Sequence, residues 1–157
     1  MIFIKGNTPS LKNSKIKGIY RPKTVVKYLR SLNIQNYSVS RGKVFVKGYK
    51  DPNKPNLFRE QVGDYFKNPE YPIILGMHFV RNSRRKFDFN NANHIVTDLL
   101  TAHHYIEDDN IHYLIPAPFK INGKWFSIDK QNPGVWLTKL DPDDFLDVTM
   151  KILQEHK

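Results

Sequence analysis

Tyr71-Pro72-Ile73-Ile74-Leu75-Gly76-Met77-His78-Phe79-Val80 is the stretch on which the fold turns. A strand with one wet face alternates in polarity, and this one does not, so it predicts a strand buried on both faces at the centre of a sheet. His78 within it reads as a satisfied core histidine rather than a ligand. The basic run Arg81-Asn82-Ser83-Arg84-Arg85-Lys86 follows at once. Beyond it Ala92, Ile95, Val96, Leu99 and Leu100 recur at i, i+3, i+4, i+7 and i+8, which predicts an amphipathic helix between Asn90 and Thr101. Its other face carries Asn90, Asn91, His94 and Asp98. After His103-His104-Tyr105-Ile106 come Glu107-Asp108-Asp109-Asn110 and a strand-like Ile111-His112-Tyr113-Leu114-Ile115. Strand, helix and strand in succession predict an α/β (α+β) chain with a mixed sheet flanked by helices.

Working outward, Ile2-Phe3-Ile4 is a short strand stopped by the turn chemistry of Gly6-Asn7-Thr8-Pro9. Ser10 to Gly18 is a polar loop whose Lys12, Asn13 and Lys15 suit phosphate oxygens, although the same residue types make ordinary exposed turns. Val25, Val26, Tyr28, Leu29 and Leu32 form a helical stripe, N-capped by Thr24 or begun near Pro22. Lys43–Lys47 alternates as a strand, and Asp51–Asn56 is a loop. Leu57, Phe58, Val62, Tyr65 and Phe66 predict a second helix that ends before Asn68-Pro69. Asn122-Gly123 is a hairpin signal, Val135-Trp136-Leu137 a strand. A closing helix begins at Asp141-Pro142-Asp143-Asp144, so that capping and the helix dipole account for Asp141, Asp143, Asp144 and Asp147.

With 157 residues the chain is expected to form one domain, 1–157. It has no cysteine, which excludes disulfides, a thiol nucleophile and thiolate-held metals. No stretch approaches the roughly 20 apolar residues that span a bilayer, and the start is too short for a secretory signal, so a soluble, cytoplasmic protein with no membrane partner is expected. The formal charge of +10 is unevenly spread. Residues 1–86 hold 19 basic and 4 acidic residues, residues 87–157 only 6 basic against 11 acidic. Such asymmetry reads as a polyanion-binding first half, against the plainer reading of basic residues solvating one face.

Where the sign changes, Arg84, Arg85 and Lys86 precede Asp88 and the amides Asn90 and Asn91, with the carboxylates 107–109 beyond the helix. Hard cations such as Mg²⁺ take a few oxygen ligands, and Asp88, Asp109 and the Asn90 carbonyl would supply them while the basic run holds a phosphodiester backbone. They converge only if the acidic segment folds back beside the helix start. On spacing alone the plainer reading stands ahead: Asp88 caps the helix and 107–109 is a solvated turn. His94, His103, His104 and His112 match no zinc spacing.

The segments Arg84-Arg85-Lys86-Phe87-Asp88-Phe89-Asn90-Asn91, Asp98-Leu99-Leu100 and Ile106-Glu107-Asp108-Asp109-Asn110 resemble the RusA family of Holliday-junction resolvases. That family places an arginine-rich loop before an Asp-x-Asp-Asn motif, then a helix with a late aspartate and leucine, then a hydrophobic-x-Asp-Asp motif. The close likeness covers residues 84–113, with a weaker echo in Pro9-Ser10 and Asn13. It implies a small homodimer that binds four-way DNA junctions in recombination or repair, with phage or prophage genome processing as one setting, and cuts two strands symmetrically with Mg²⁺ or Mn²⁺. Twofold symmetry of the dimer would match that of the junction.

Carried over by position, Asp88 and Asp109 are metal-binding carboxylates. Asn90 stands where the family has its second aspartate, His94 where it has a catalytic lysine. Asn90 still offers a carbonyl oxygen but removes one negative charge, so the cation is held less tightly. His94 exchanges a permanent cation for an imidazole, which can still act as a proton donor or phosphate partner. Asp108 is a candidate for the missing charge, although alternation along a strand would point it away. The alternative from another class is a branched-DNA-binding protein that cuts weakly or not at all.

Overall fold

A computed structural model describes residues 1–9, 22–40, 43–51 and 54–143. The loop residues Lys12, Asn13 and Lys15 and most of the closing helix lie outside them. At the entry to that helix, Pro142 and Asp143 are helical and Asp141 accepts from the Asp143 N–H, as a capping aspartate does.

The elements are β1 (Ile2–Lys5), α1 (Pro22–Ser31), β2 (Tyr37–Ser40), β3 (Lys43–Val46), α2 (Leu57–Val62), β4 (Ile73–Arg81), α3 (Phe89–Ala102), β5 (Leu114–Pro118), β6 (Ser127–Ile128) and β7 (Gly134–Leu140). The main sheet runs β1-β7-β4-β5, with β6 also on β4, and β2 and β3 form a separate hairpin. β4 is antiparallel to β7 and parallel to β5 and β6, so the sheet is mixed. The α/β (α+β) expectation therefore holds.

The apolar run of β4 is central, as its composition requires: eight of its nine residues are buried. Ile73, Leu75, Met77 and Phe79 point into the core with Leu29, Leu32, Phe58, Val96, Leu99 and Leu100 from the helices and Val135 and Leu137 from β7. The alternate residues meet the other face. There His78 is fully buried and doubly bonded, to the Phe119 carbonyl and to Ser127, which confirms it as a core histidine.

Three expectations need correcting. The second helix stops at Val62 rather than before Asn68: Gly63 turns to φ 56° and returns its N–H to the Arg59 carbonyl. The strand after α3 begins at Leu114 rather than Ile111, because the Asn110 carbonyl accepts from Tyr113 and Leu114 and its side chain from His112, closing a turn over 110–114. β2 is an element the sequence reading lacked.

β4, α3 and β5 form a parallel crossover unit. Two devices anchor α3. Asp88 is its N-cap, accepting from the Asn90 N–H at 3.0 Å. At the other end His103 is the C-cap and is almost wholly buried. Its Nδ1 bonds the Leu99 carbonyl at 2.7 Å, and its Nε2 lies 2.9 Å from the Asn56 amide. Since a carbonyl only accepts, Nδ1 carries the proton and Nε2 accepts from Asn56. Asn56 in turn N-caps α2 through the Arg59 N–H, so one amide joins two helix ends.

Candidate active site

The buried stripe of α3 leaves Asn90, His94 and Asp98 exposed at i, i+4 and i+8 along one face. The loop after the helix brings Asp109 against this face. Asp98 is pushed above the usual carboxylate range, chiefly by desolvation and then by the charge of Asp109, with His94 opposing. Asp109 is raised too, by desolvation, by a hydrogen bond with the Asp108 carboxyl and by its charge, again opposed by His94. Asp108 is lowered, because it accepts from the Asp109 N–H and the Asn110 amide, both at 2.8 Å. Strand alternation does not separate Asp108 from Asp109 here: the pair sits in a turn, where the two carboxyls hydrogen-bond.

Asp98 is the residue that the sequence reading left unassigned. It was visible as part of the polar face of α3, but nothing in the spacing tells that a turn eleven residues later returns an acid to it. Asp88 stands at the helix start, ten residues from Asp98, or about 15 Å along the axis. The structure thus draws Asp109 toward His94 and Asp98, on the later part of α3, and leaves Asp88 at its cap. Asn90 lies one turn above His94. Arg84, Arg85 and Lys86, all exposed, occupy the loop that leads from β4 to Asp88.

The donors on this face are carboxylates and an amide oxygen, the oxygen types that hard cations take, and both Asp98 and Asp109 are raised first by desolvation and then by a neighbouring carboxyl. Among the described residues no three His, Asp or Glu side chains gather closely enough to form a metal cluster. Asp98 and Asp109 are the two carboxyls of this face near enough for the charge of one to act on the other.

The remaining histidines do not join them. His103 is tied between Asn56 and Leu99, and burial pushes it down to about 4, so it is neutral at pH 7. His104 bonds the Tyr49 carbonyl. No helix among the described residues is long and apolar enough to cross a membrane. Comparison with protein-family models, with curated proteins and with solved structures finds no match to this chain.

Proposed function

We propose that the chain is a Mg²⁺-dependent, structure-selective endonuclease of RusA type, a cytoplasmic homodimer that binds four-way DNA junctions and cuts them symmetrically. The observation that carries this reading is the confrontation of Asp98 and Asp109 across the exposed face of α3, each held above its ordinary value, with an exposed basic run entering the same helix. Like-charged carboxyls held together at a surface are an unfavourable arrangement unless something positive comes between them. The likeness of residues 84–113 to the family supplies the reaction.

Asp109 and Asp98 would hold the ion at the later part of α3, while Asn90 and Asp88, two turns and more up the same helix, stand too far along the axis to share it and line the approach to it. When bound, Mg²⁺ supplies charge neutralisation at a phosphodiester and a more acidic water. Arg84, Arg85 and Lys86 bind the flanking phosphates and set the register of the strand. His94 stands beside both carboxyls. From there an imidazole is placed to give a proton to the departing oxygen.

The second reading, a branched-DNA binder that cuts weakly or not at all, is favoured by Asn90 in place of an aspartate and by the lack of a three-residue cluster among the described residues. One experiment separates the two. The protein is mixed with a synthetic four-way junction and MgCl₂. Paired nicks are expected, and Asp109→Asn lowers their rate at least about a hundredfold while sparing binding, as loss of a charge-stabilising group does. Asp88→Asn and Asp98→Asn tell which end of α3 completes the site. Binding without nicks in the wild type, and no saturable Mg²⁺ binding lost on Asp109→Asn, would establish the pure binder.

A further inference from the structure

After β5 the chain leaves the sheet for eight residues, 119–126, and returns to the same edge of β4 as β6. This excursion displays Trp125, Phe126 and Ile128 with 56%, 43% and 42% of their surfaces exposed. Three large apolar side chains left in water within four residues need a reason beyond folding. The segment is also well fixed. Asn122 and Gly123, at φ 51° and 74°, make a tight turn closed by two 3.0 Å hydrogen bonds between Ile121 and Lys124. Its two ends are held by one buried side chain: His78 donates from Nδ1 to the Phe119 carbonyl at 3.1 Å and accepts at Nε2 from the Ser127 hydroxyl at 2.7 Å. Phe119 lies on β4 where a Cβ on Gly76 would stand 2.9 Å from its ring, so glycine at 76 is what lets the chain lie flat.

The surroundings are cationic. The Lys120 ammonium lies 4.9 Å from the centre of the Trp125 ring, and Arg84 and Lys124 line a shallow cavity with Trp125 and Phe126. Residues 119–128 contain no acid. Phe126 packs edge-on against Phe87 at 5.4 Å, which sets the excursion beside the basic loop that runs into Asp88.

We infer that this excursion is a stacking platform for unpaired nucleotides, in which Trp125 takes a base on its ring and Arg84, Lys120 and Lys124 take the adjoining phosphates. A rigid exposed aromatic beside cations, in a segment 119–128 without an acid, matches a ligand that is a π-face on an anionic backbone. Bases in an intact duplex show only their edges, so the ligand is a single-stranded or splayed segment. The inference rests on the reading of the chain as a DNA-binding protein but not on its cutting DNA.

The test uses the full chain in EDTA with a fluorescein-labelled oligothymidylate and a duplex of equal length. Trp125→Ala weakens oligothymidylate binding about tenfold, the scale of one lost base–aromatic stack, and Trp125→Phe retains most of it. Saturating oligothymidylate quenches tryptophan emission in the wild type and not in Trp125→Phe, whose remaining Trp136 packs against Phe3. Lys120→Ala and Lys124→Ala each lower the salt dependence by about 0.7 in log–log slope. Unchanged affinity in a folded Trp125→Ala protein overturns the inference. So does a loss of affinity that sedimentation shows to follow from dissociation of a dimer, which would make this face a contact between copies. Because no Mg²⁺ is present, absence of junction cleavage leaves this result untouched.

Discussion

The two faces of α3 handle polar groups in opposite ways. On the buried side, His103 has both ring nitrogens bonded, to the Leu99 carbonyl and the Asn56 amide, and is packed among Tyr49, Phe58 and Tyr105. On the exposed side Asp98 and Asp109 face each other with like charge, and His94 stands by them. Burial explains the first arrangement completely: a polar group out of water must be bonded. The second is of another kind: a desolvated carboxyl beside a like charge, which costs the fold stability once both are ionised. The polar groups that stability does not account for are the ones to which function is assigned.

The largest test of this contrast is the response to acid, because the two faces carry shifts of opposite effect. His103 has a folded pKa near 4 against an unfolded value of 6.5. Its contribution to stability is therefore complete above about pH 6.5 and is lost as the pH falls toward 4, where the unfolded chain takes up the proton first. The loss amounts to about 3 kcal/mol at its full extent. Asp98 and Asp109, raised in the fold, act the other way: they weaken the folded state once ionised, and protonating them as the pH falls strengthens it. Urea unfolding across pH 7 to 4 should show a net fall. His103→Gln should be less stable at pH 7 yet flatter over that range, and a profile as steep as wild type would place the titrating group elsewhere.

A second test acts on the joint between the helices. Asn56→Ala removes the cap of α2 and leaves Nε2 of His103 buried without a donor, which together cost about 2 kcal/mol. Asn56→Asp keeps a capping oxygen but sets a carboxylate beside Nε2. His103 then holds its proton to higher pH and the acid loss between 6.5 and 4 shrinks. If Asn56→Ala leaves the unfolding midpoint unchanged, the amide is not a joint at all.

The same contrast marks what could be read from the residues. β4 was legible because a near-continuous apolar run, broken only by His78, admits few other fates, and α3 because its apolar spacing is unbroken. The Asn122-Gly123 turn was legible because positive φ at two successive positions selects those residues, but the expected hairpin strands do not form: a single bridge joins Ile121 and Lys124, and Ser127–Ile128 pairs with β4 instead. α2 was read too long, since Tyr65 and Phe66 keep helical spacing beyond the glycine that ends it. β2 was missed because Tyr37-Ser38-Val39-Ser40 is short and half of it lies in water. β5 was set too early because Ile111-His112-Tyr113 alternates like a strand, whereas Asn110 folds it into a turn. In the site, the residues of α3 could be placed on one face by counting. Which acid returns to that face is a matter of loop geometry, and local pattern carries no record of it.

The smallest expected effect bears on how far the exposed face extends as one site. Asn90→Asp puts a carboxylate in the first turn of α3, where the helix dipole favours it by about 0.5 kcal/mol and Asp88 opposes it by a similar amount, so stability without metal should hardly move. If Asn90 belongs to the cation site, the added charge should tighten Mg²⁺ about tenfold, seen as a lower midpoint in a titration followed by thermal unfolding. An unchanged midpoint, alongside a Mg²⁺ response that Asp109→Asn abolishes, would confine the site to Asp98 and Asp109. Asp88 would then be a helix cap, as its bond to the Asn90 N–H already requires, and the likeness to the family at residues 88–91 would describe a helix start and no longer a ligand set.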